Sequence, residues 1–258
     1  GGVKVQEYLY RYISFETFVG MIQSKSLTFV LPELWDDPKE CVSFKHYVKQ
    51  QDNIYEKLML WSVYYKTFCQ CWTTLAESDA MWRIYSYNNH AIRISIKREK
   101  VSILDNVKAV EVKYSDDFDS IYDKGEEGFF KTLSQKRSAF EHEKEVRLIK
   151  HYQFSGTDDA KQHIYAWLAM SEHDDHIKIL ESHFSGESIE EKVQTVVTML
   201  NIGNKSKQTE DVSFSHIPGF IEGVLVHPLA PGWYVDIVQE FCARNEIPFE
   251  GKSTLYNK

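Results

Sequence analysis

Between Phe140 and Ile149 the chain reads FEHEKEVRLI, which sets Glu141, Glu143, Glu145 and Arg147 at alternate positions. Read as a strand, that run has a period of two, so the four side chains share one face, about 7 Å from one to the next. Crowded carboxylates raise each other's pKa and an arginine lowers it, so such a strip can host one base and one charge stabiliser. The plainer reading is the solvated face of an edge strand, and the segment alone favours it. What decides between the two is the company these residues keep elsewhere.

Arg11 is the second candidate. Tyr8 to Ile13 alternates aromatic and apolar residues, as a strand does. In a strand Tyr10 and Tyr12 share one face, while Leu9, Arg11 and Ile13 share the other. An arginine among apolar neighbours needs an anionic partner, a phosphate or a carboxylate, because an unpaired buried charge is costly. The cysteines are Cys41, Cys69, Cys71 and Cys242, with no CxxC pair and no His/Cys ladder. No structural zinc is expected, and reduced thiols fit best. His173 and His176, in EHDDH, could ligate a metal, although a polar loop is the simpler reading. Nothing in the spacing brings a histidine near Cys71. There is no GxGxxG, Walker loop, GxSxG or HExxH, so Rossmann dehydrogenases, P-loop enzymes, common hydrolases and zincins lose support.

With 258 residues, 43% of them hydrophobic, the chain can bury a substantial core. Its 15 Tyr, 15 Phe and 6 Trp suit aromatic-rich strands and would also suit a site that stacks on planar ligands. The net charge of −8 gives no bulk attraction to nucleic acid, so such a substrate would need a local basic patch. Lys97–Lys100 and Lys131–Arg137 are the candidates; both are short and mixed in sign, and solvated faces are expected there. No apolar run approaches the roughly 18 residues of a membrane span, and no signal peptide opens the sequence, so a cytoplasmic protein is expected.

Strands are predicted over 8–13, 27–31, 67–74, 90–96, 107–114, 140–149, 221–226 and 253–256. Helices are predicted after an N-cap at Ser14, over 39–66, over 77–86 with Ser78 as cap, over 126–139 and over 234–245. Trp35-Asp36-Asp37-Pro38 reads as a turn. Residues 155–218 read as an inserted helical element within a single domain spanning 1–258. Strands and helices mix without a strict βαβ rhythm, so the fold class is α+β with one main mixed or split sheet.

Several of these segments together resemble a known pattern. They are Leu9-Tyr10-Arg11-Tyr12, the Leu34–Glu40 turn, and Cys71-Trp72-Thr73 running into Glu77-Ser78-x-x-Met81-Trp82-x-x-Tyr85. Glu143-x-Glu145-x-Arg147 and Val224-x-Val226-x-Pro228 complete it. In this order they are similar to a widespread prokaryotic family, formerly of unknown function, within the ADP-ribosyltransferase superfamily. Some of its members resemble mRNA-modifying toxins of phage-defence toxin–antitoxin systems. The resemblance covers residues 8–150 and 221–256; the stretch 155–218 departs from it.

The resemblance implies a split mixed sheet that holds NAD, the substrate, in a cleft between its halves, with no metal. Three motif strands would carry an Arg or His, then a Ser/Thr or Tyr, then a Glu. Carried over by position, Arg11 takes the first role, with Tyr10 or Tyr12 as alternatives for facing NAD. Thr73 beside Trp72 takes the second, and Glu145 with Glu143 the third. Trp82 and Tyr85 would stack on nicotinamide. Breaking the nicotinamide–ribose bond passes through an oxocarbenium-like state, which a carboxylate at Glu145 would stabilise while Glu143 orients or deprotonates the nucleophile. The implied acceptor is nucleic acid, RNA favoured, and the implied protein partner an antitoxin. Two other classes compete: a metal-dependent nuclease using Asp36, Asp37 and the glutamate strip as oxygen ligands, and a non-catalytic binding module on the same fold.

Overall fold

Alternation of apolar side chains writes most of the sheet. In the computed structural model, which describes residues 7–50, 64, 67–117, 126–150 and 208–256, Tyr8–Ser14 forms β1 and Ala91–Lys97 forms β4. The two pair antiparallel along their whole length, Leu9 opposite Ile96 and Ile13 opposite Ile92. Ile92, Ile94 and Ile96 are fully buried, each contributing roughly 1.5–3 kcal/mol on leaving water. Helix α1 (Phe15–Ser24) follows β1 directly, its first turn capped by the Ser14 hydroxyl, which accepts from the Thr17 amide at 3.2 Å.

The remaining strands are β2 (Ser26–Val30), β3 (Phe68–Thr73), β5 (Val107–Glu111), β6 (Lys113–Tyr114), β7 (Gln135–Lys136), β8 (Glu145–Lys150), β9 (Thr209–Ser213), β10 (Gly223–Val226) and β11 (Phe249–Lys252). Helices α2 (Val42–Lys49), α3 (Asp79–Ile84), α4 (Arg98–Val101), α5 (Glu126–Leu133) and α6 (Gly232–Arg244) accompany them. The fold is α+β: one large mixed sheet flanked by helices. Its order is β11-β10-β4-β1-β3-β2-β9, and β8 pairs with β3 while β5 pairs with β8. Among the described residues only β10 and β11 run parallel within it; β6 and β7 make a separate parallel pair.

The sheet is nearly divided. One edge of β3 pairs with β8 over six residues, from Phe68 opposite Lys150 to Thr73 opposite Glu145. Beyond that ladder, β3 meets β1 at one residue pair, Tyr10 and Thr73, and β2 at another, Val30 and Cys69. On one face Leu9, Ile13, Trp72, Val146 and Leu148 pack with Phe18, Met21, Tyr234 and Val238 of α1 and α6. On the other, Cys69 and Ile149 pack with Phe44 of α2 and with Phe129 and Leu133 of α5. A third cluster joins Tyr12, Ala91 and Leu225 to Met81 and Trp82 of α3.

Four expectations need correction. Residues 140–143, expected as strand, belong to a 3-10 turn (Ser138–Glu143) ended by Lys144 in the left-handed conformation (φ 42°), so the strand starts only at Glu145. The helix expected over 126–139 stops at Leu133, whose carbonyl accepts from the Arg147 guanidinium at 2.7 Å, and the chain then extends into β7. Residues 209–213, assigned to the inserted helical element, are strand β9, which adds to β2 with Thr28 Oγ1 donating to Asp211. The last strand lies at 249–252 instead of 253–256, because Glu246 (φ 56°) turns the chain out of α6 early enough for Phe249 to pair with Val224. Helix α2 realises the start of the expected 39–66 helix. Residues 51–66 of that helix, Tyr64 apart, and the bulk of 155–218, with His173 and His176, lie outside the described residues.

Candidate active site

The near-gap between β1 and β3 is where the expected residues meet. A cavity of about 300 Å³ opens there, lined by Tyr10, Arg11 and Tyr12 of β1 and by Cys71, Trp72 and Thr73 of β3. Tyr85, at the C-cap of α3, and Glu143 and Glu145 close it, with Ile13, Ser14, Thr17 and Met81 completing the wall. Its size is at the lower end of the range for small-molecule sites. A larger groove of about 990 Å³ runs along β5 past Arg98, Lys108 and Lys131, and none of the expected site residues lines it. There Arg98 is paired with Glu111 at 2.9 Å.

Antiparallel pairing of β3 with β8 sets Thr73 opposite Glu145 and Cys71 opposite Arg147. Glu145 and Arg147 are two apart on one strand, so they share the face covered by α2 and α5. Glu145 is 4% exposed and Arg147 1%. Arg147 Nε donates to Glu145 Oε1 at 2.8 Å, and its Nη1 and Nη2 lie 2.8 and 2.9 Å from the two oxygens of Glu40. The Trp35 ring covers the guanidinium at 4.0 Å. Burial alone would raise the Glu145 pKa; Arg147 and Lys136 outweigh it and hold the group at about 2. Burial pushes the Glu40 carboxyl up in spite of Arg147.

Glu143 reaches the same place by another route. The left-handed Lys144 folds the end of the 3-10 turn back on β8, and the Thr73 hydroxyl fixes it by donating to the Glu143 carbonyl at 2.5 Å. The Glu143 side chain is buried beside Glu145, and Lys136 Nζ donates to Glu143 Oε2 at 2.6 Å and to Glu145 Oε2 at 2.9 Å. Glu141, by contrast, is exposed and paired with Lys144 at 2.9 Å, so it leaves the strip. Glu40, Glu143 and Glu145 thus face Lys136 and Arg147, three carboxylates against two cations. Burial opposes the Lys136 charge, but Glu145 and Glu143 raise its pKa, and it remains an ammonium.

Arg11 stands apart from this network. It lines the cavity and makes no ion pair or hydrogen bond to the described residues. The salt bridge to a strand carboxylate that would have made it purely structural is not formed. Burial lowers its pKa, with small opposing contributions from Cys71 and Tyr85. Burial also pushes the Cys71 thiol up, and Glu145 beside it adds to that, so Cys71 is no thiolate. Tyr85 is pushed up to about 12 by burial and then by Glu143.

Of the nine residues expected in the site, only Trp82 does not line the cavity. It is fully buried behind Tyr12, edge-on at 4.7 Å, with its indole N–H donating to Glu77 at 3.3 Å. Tyr12 itself is 3% exposed, its hydroxyl donating to the carbonyls of Leu75 and Ala76. The Trp72 N–H is taken by Gln70 at 2.8 Å. Sequence reasoning missed Lys136, Glu40 and Trp35. Lys136 was hidden inside an expected helix, whereas Trp35 and Glu40 lie in the Leu34–Glu40 turn, which entered the pattern without a role for either residue. The neighbouring Asp37 is buried and accepts from Arg137 Nε at 2.9 Å, while Asp36 is exposed. Among the described residues no three His, Cys, Asp or Glu side chains converge as metal ligands. Comparison with protein-family models, characterised proteins and solved structures finds no match.

Proposed function

We propose that the chain is an NAD-dependent mono-ADP-ribosyltransferase that acts on a nucleic-acid acceptor, RNA favoured, as a toxin in phage defence. One observation carries the reading: Arg11, Thr73 and Glu145, the three residues assigned to the motif strands, line a single cavity. The donor set suits NAD. Arg11, with no anionic partner among the described residues, is available to the pyrophosphate through charge-assisted hydrogen bonds. Tyr10 and Tyr85 offer aromatic faces for nicotinamide and adjoining groups.

Glu145 stays ionised at neutral pH, as a group must that stabilises positive charge developing on the ribose. Glu143 Oε1 makes no hydrogen bond to the described residues, so one of its oxygens is available to orient the incoming nucleophile. The nucleic-acid acceptor, the toxin role and an antitoxin partner rest on the sequence resemblance. For the nuclease reading, Asp37 is engaged by Arg137 and an ammonium lies between Glu143 and Glu145.

Incubation with NAD labelled in the adenylate half, with RNA, DNA and protein offered separately, tests the proposal. Label transfer that is lost in Glu145→Gln is the expected result. Cleavage of nucleic acid that needs no NAD and stops with EDTA would replace the transferase by the nuclease. Neither activity, with NAD still bound, would leave a binding module.

A further inference from the structure

We propose that Lys136 is a positioning residue for the carboxylate pair: its ammonium yokes Glu143 to Glu145 and sets Glu143 toward the cavity. The catalytic side of this inference rests on the transferase reading above. Lys136 comes from neither carboxylate's element. It sits on β7, which the parallel pairing with β6 holds in place through Lys113 N–H to the Ser134 carbonyl at 2.7 Å and Ser115 N–H to the Lys136 carbonyl at 3.0 Å. The same small sheet supplies Tyr114, whose hydroxyl accepts from the Glu145 amide at 2.7 Å. The Lys136 side chain is 12% exposed, its Nζ 4.8 Å from the centre of the Phe140 ring, so little water competes for the ammonium.

The charged and titratable groups that face Lys136 come from every element around it. Glu143, Glu145 and Arg147 belong to the 3-10 turn and β8, and Asp37 and Glu40 to the turn before α2. Cys71 comes from β3, Tyr85 from the end of α3 and Tyr114 from β6. Arg147 serves Glu145 and Glu40 but makes no bond to Glu143. Glu143 therefore has Lys136 as its one cationic partner among the described residues. Without that ammonium, Glu145 would lose one of the two cations that hold its carboxyl down, and the Glu143 side chain would lose the bond that fixes its rotamer.

The test compares Lys136→Met and Lys136→Arg with the unaltered chain, measuring kcat and KM for NAD from pH 8 down to the lowest pH at which each chain stays folded, near 3. In parallel, the Glu145 carboxyl signal is followed by carbon NMR. In Lys136→Met the acid limb of kcat should move up by about 1–3 pH units, and each unit lowers kcat below the limb by about tenfold. KM should stay near that of the unaltered chain, because Arg11 and Thr73 are untouched. Lys136→Arg should restore the limb. An unmoved limb in Lys136→Met overturns the proposal, as does equal loss in both variants together with a lowered melting temperature. If the unaltered chain turns over no NAD, the transferase reading falls and the NMR arm decides the yoke. A Glu145 signal titrating about a unit or more higher in Lys136→Met upholds it, and an unchanged titration overturns it.

Discussion

Arg11 and Arg147 put the same functional group into opposite surroundings, and their replacements should part accordingly. Arg147 is buried between Glu40 and Glu145. Its loss in Arg147→Met strands two carboxylates and should cost about 3–5 kcal/mol in urea unfolding. Arg11→Met removes a guanidinium that makes no bond to the described residues. Its melting temperature should be unchanged or slightly higher, while NAD binding by calorimetry should weaken about tenfold or more, the size of a hydrogen bond to a charged group. Glu145 adds a pH signature. Its carboxyl is held at about 2, against about 4.3 for an unfolded glutamate. A depressed carboxylate stabilises the fold fully above the unfolded value, and that stability is lost as pH falls from about 4.3 toward 2. Unfolding free energies measured from pH 6 down to 2 should therefore drop more steeply for the unaltered chain than for Glu145→Gln.

At the scale of elements, the parts of the sequence with a clear period were legible and the parts governed by single backbone conformations were not. β1, α1, β3, α3 and β4 all lie where alternation, helical spacing and the Ser14 and Ser78 caps put them. The stretch from Ser134 to Lys144 defeats periodicity because it is built from a two-residue strand, a 3-10 turn and one left-handed residue. The Glu-x-Glu-x-Arg alternation was real for Glu145 and Arg147 and accidental for Glu141. Glu143 came to the expected neighbourhood through the Lys144 turn instead of through strand geometry. That turn is testable. Lys144→Ile sets a β-branched residue at positive φ and should lose about 1–2 kcal/mol in urea unfolding, whereas Lys144→Gly should be tolerated.

Across the whole molecule, the cavity gathers residues from the start, the first third and the middle of the described chain, which no local pattern could announce. The motif order named Arg11, Thr73 and Glu145, and all three line one cavity. It gave no role to the supporting groups: those of Lys136 and Glu40 become legible only once β8 is seen to bury its charged face. NAD bound at the β1–β3 gap should stabilise the whole chain, by about 2.7 kcal/mol at a hundredfold excess over Kd. A melting temperature indifferent to NAD would remove the cavity from consideration as its site.

The surroundings of Arg147 have one more consequence. Its guanidinium draws on Glu145 and the Leu133 carbonyl, 2 and 14 positions away, and on Glu40, 107 positions away. Until all three converge, dehydrating that cation is prohibitive, so a half-formed version of this centre has no stable existence. The Glu145 carboxylate at the cavity wall is therefore set in place by the same contacts that close this part of the sheet.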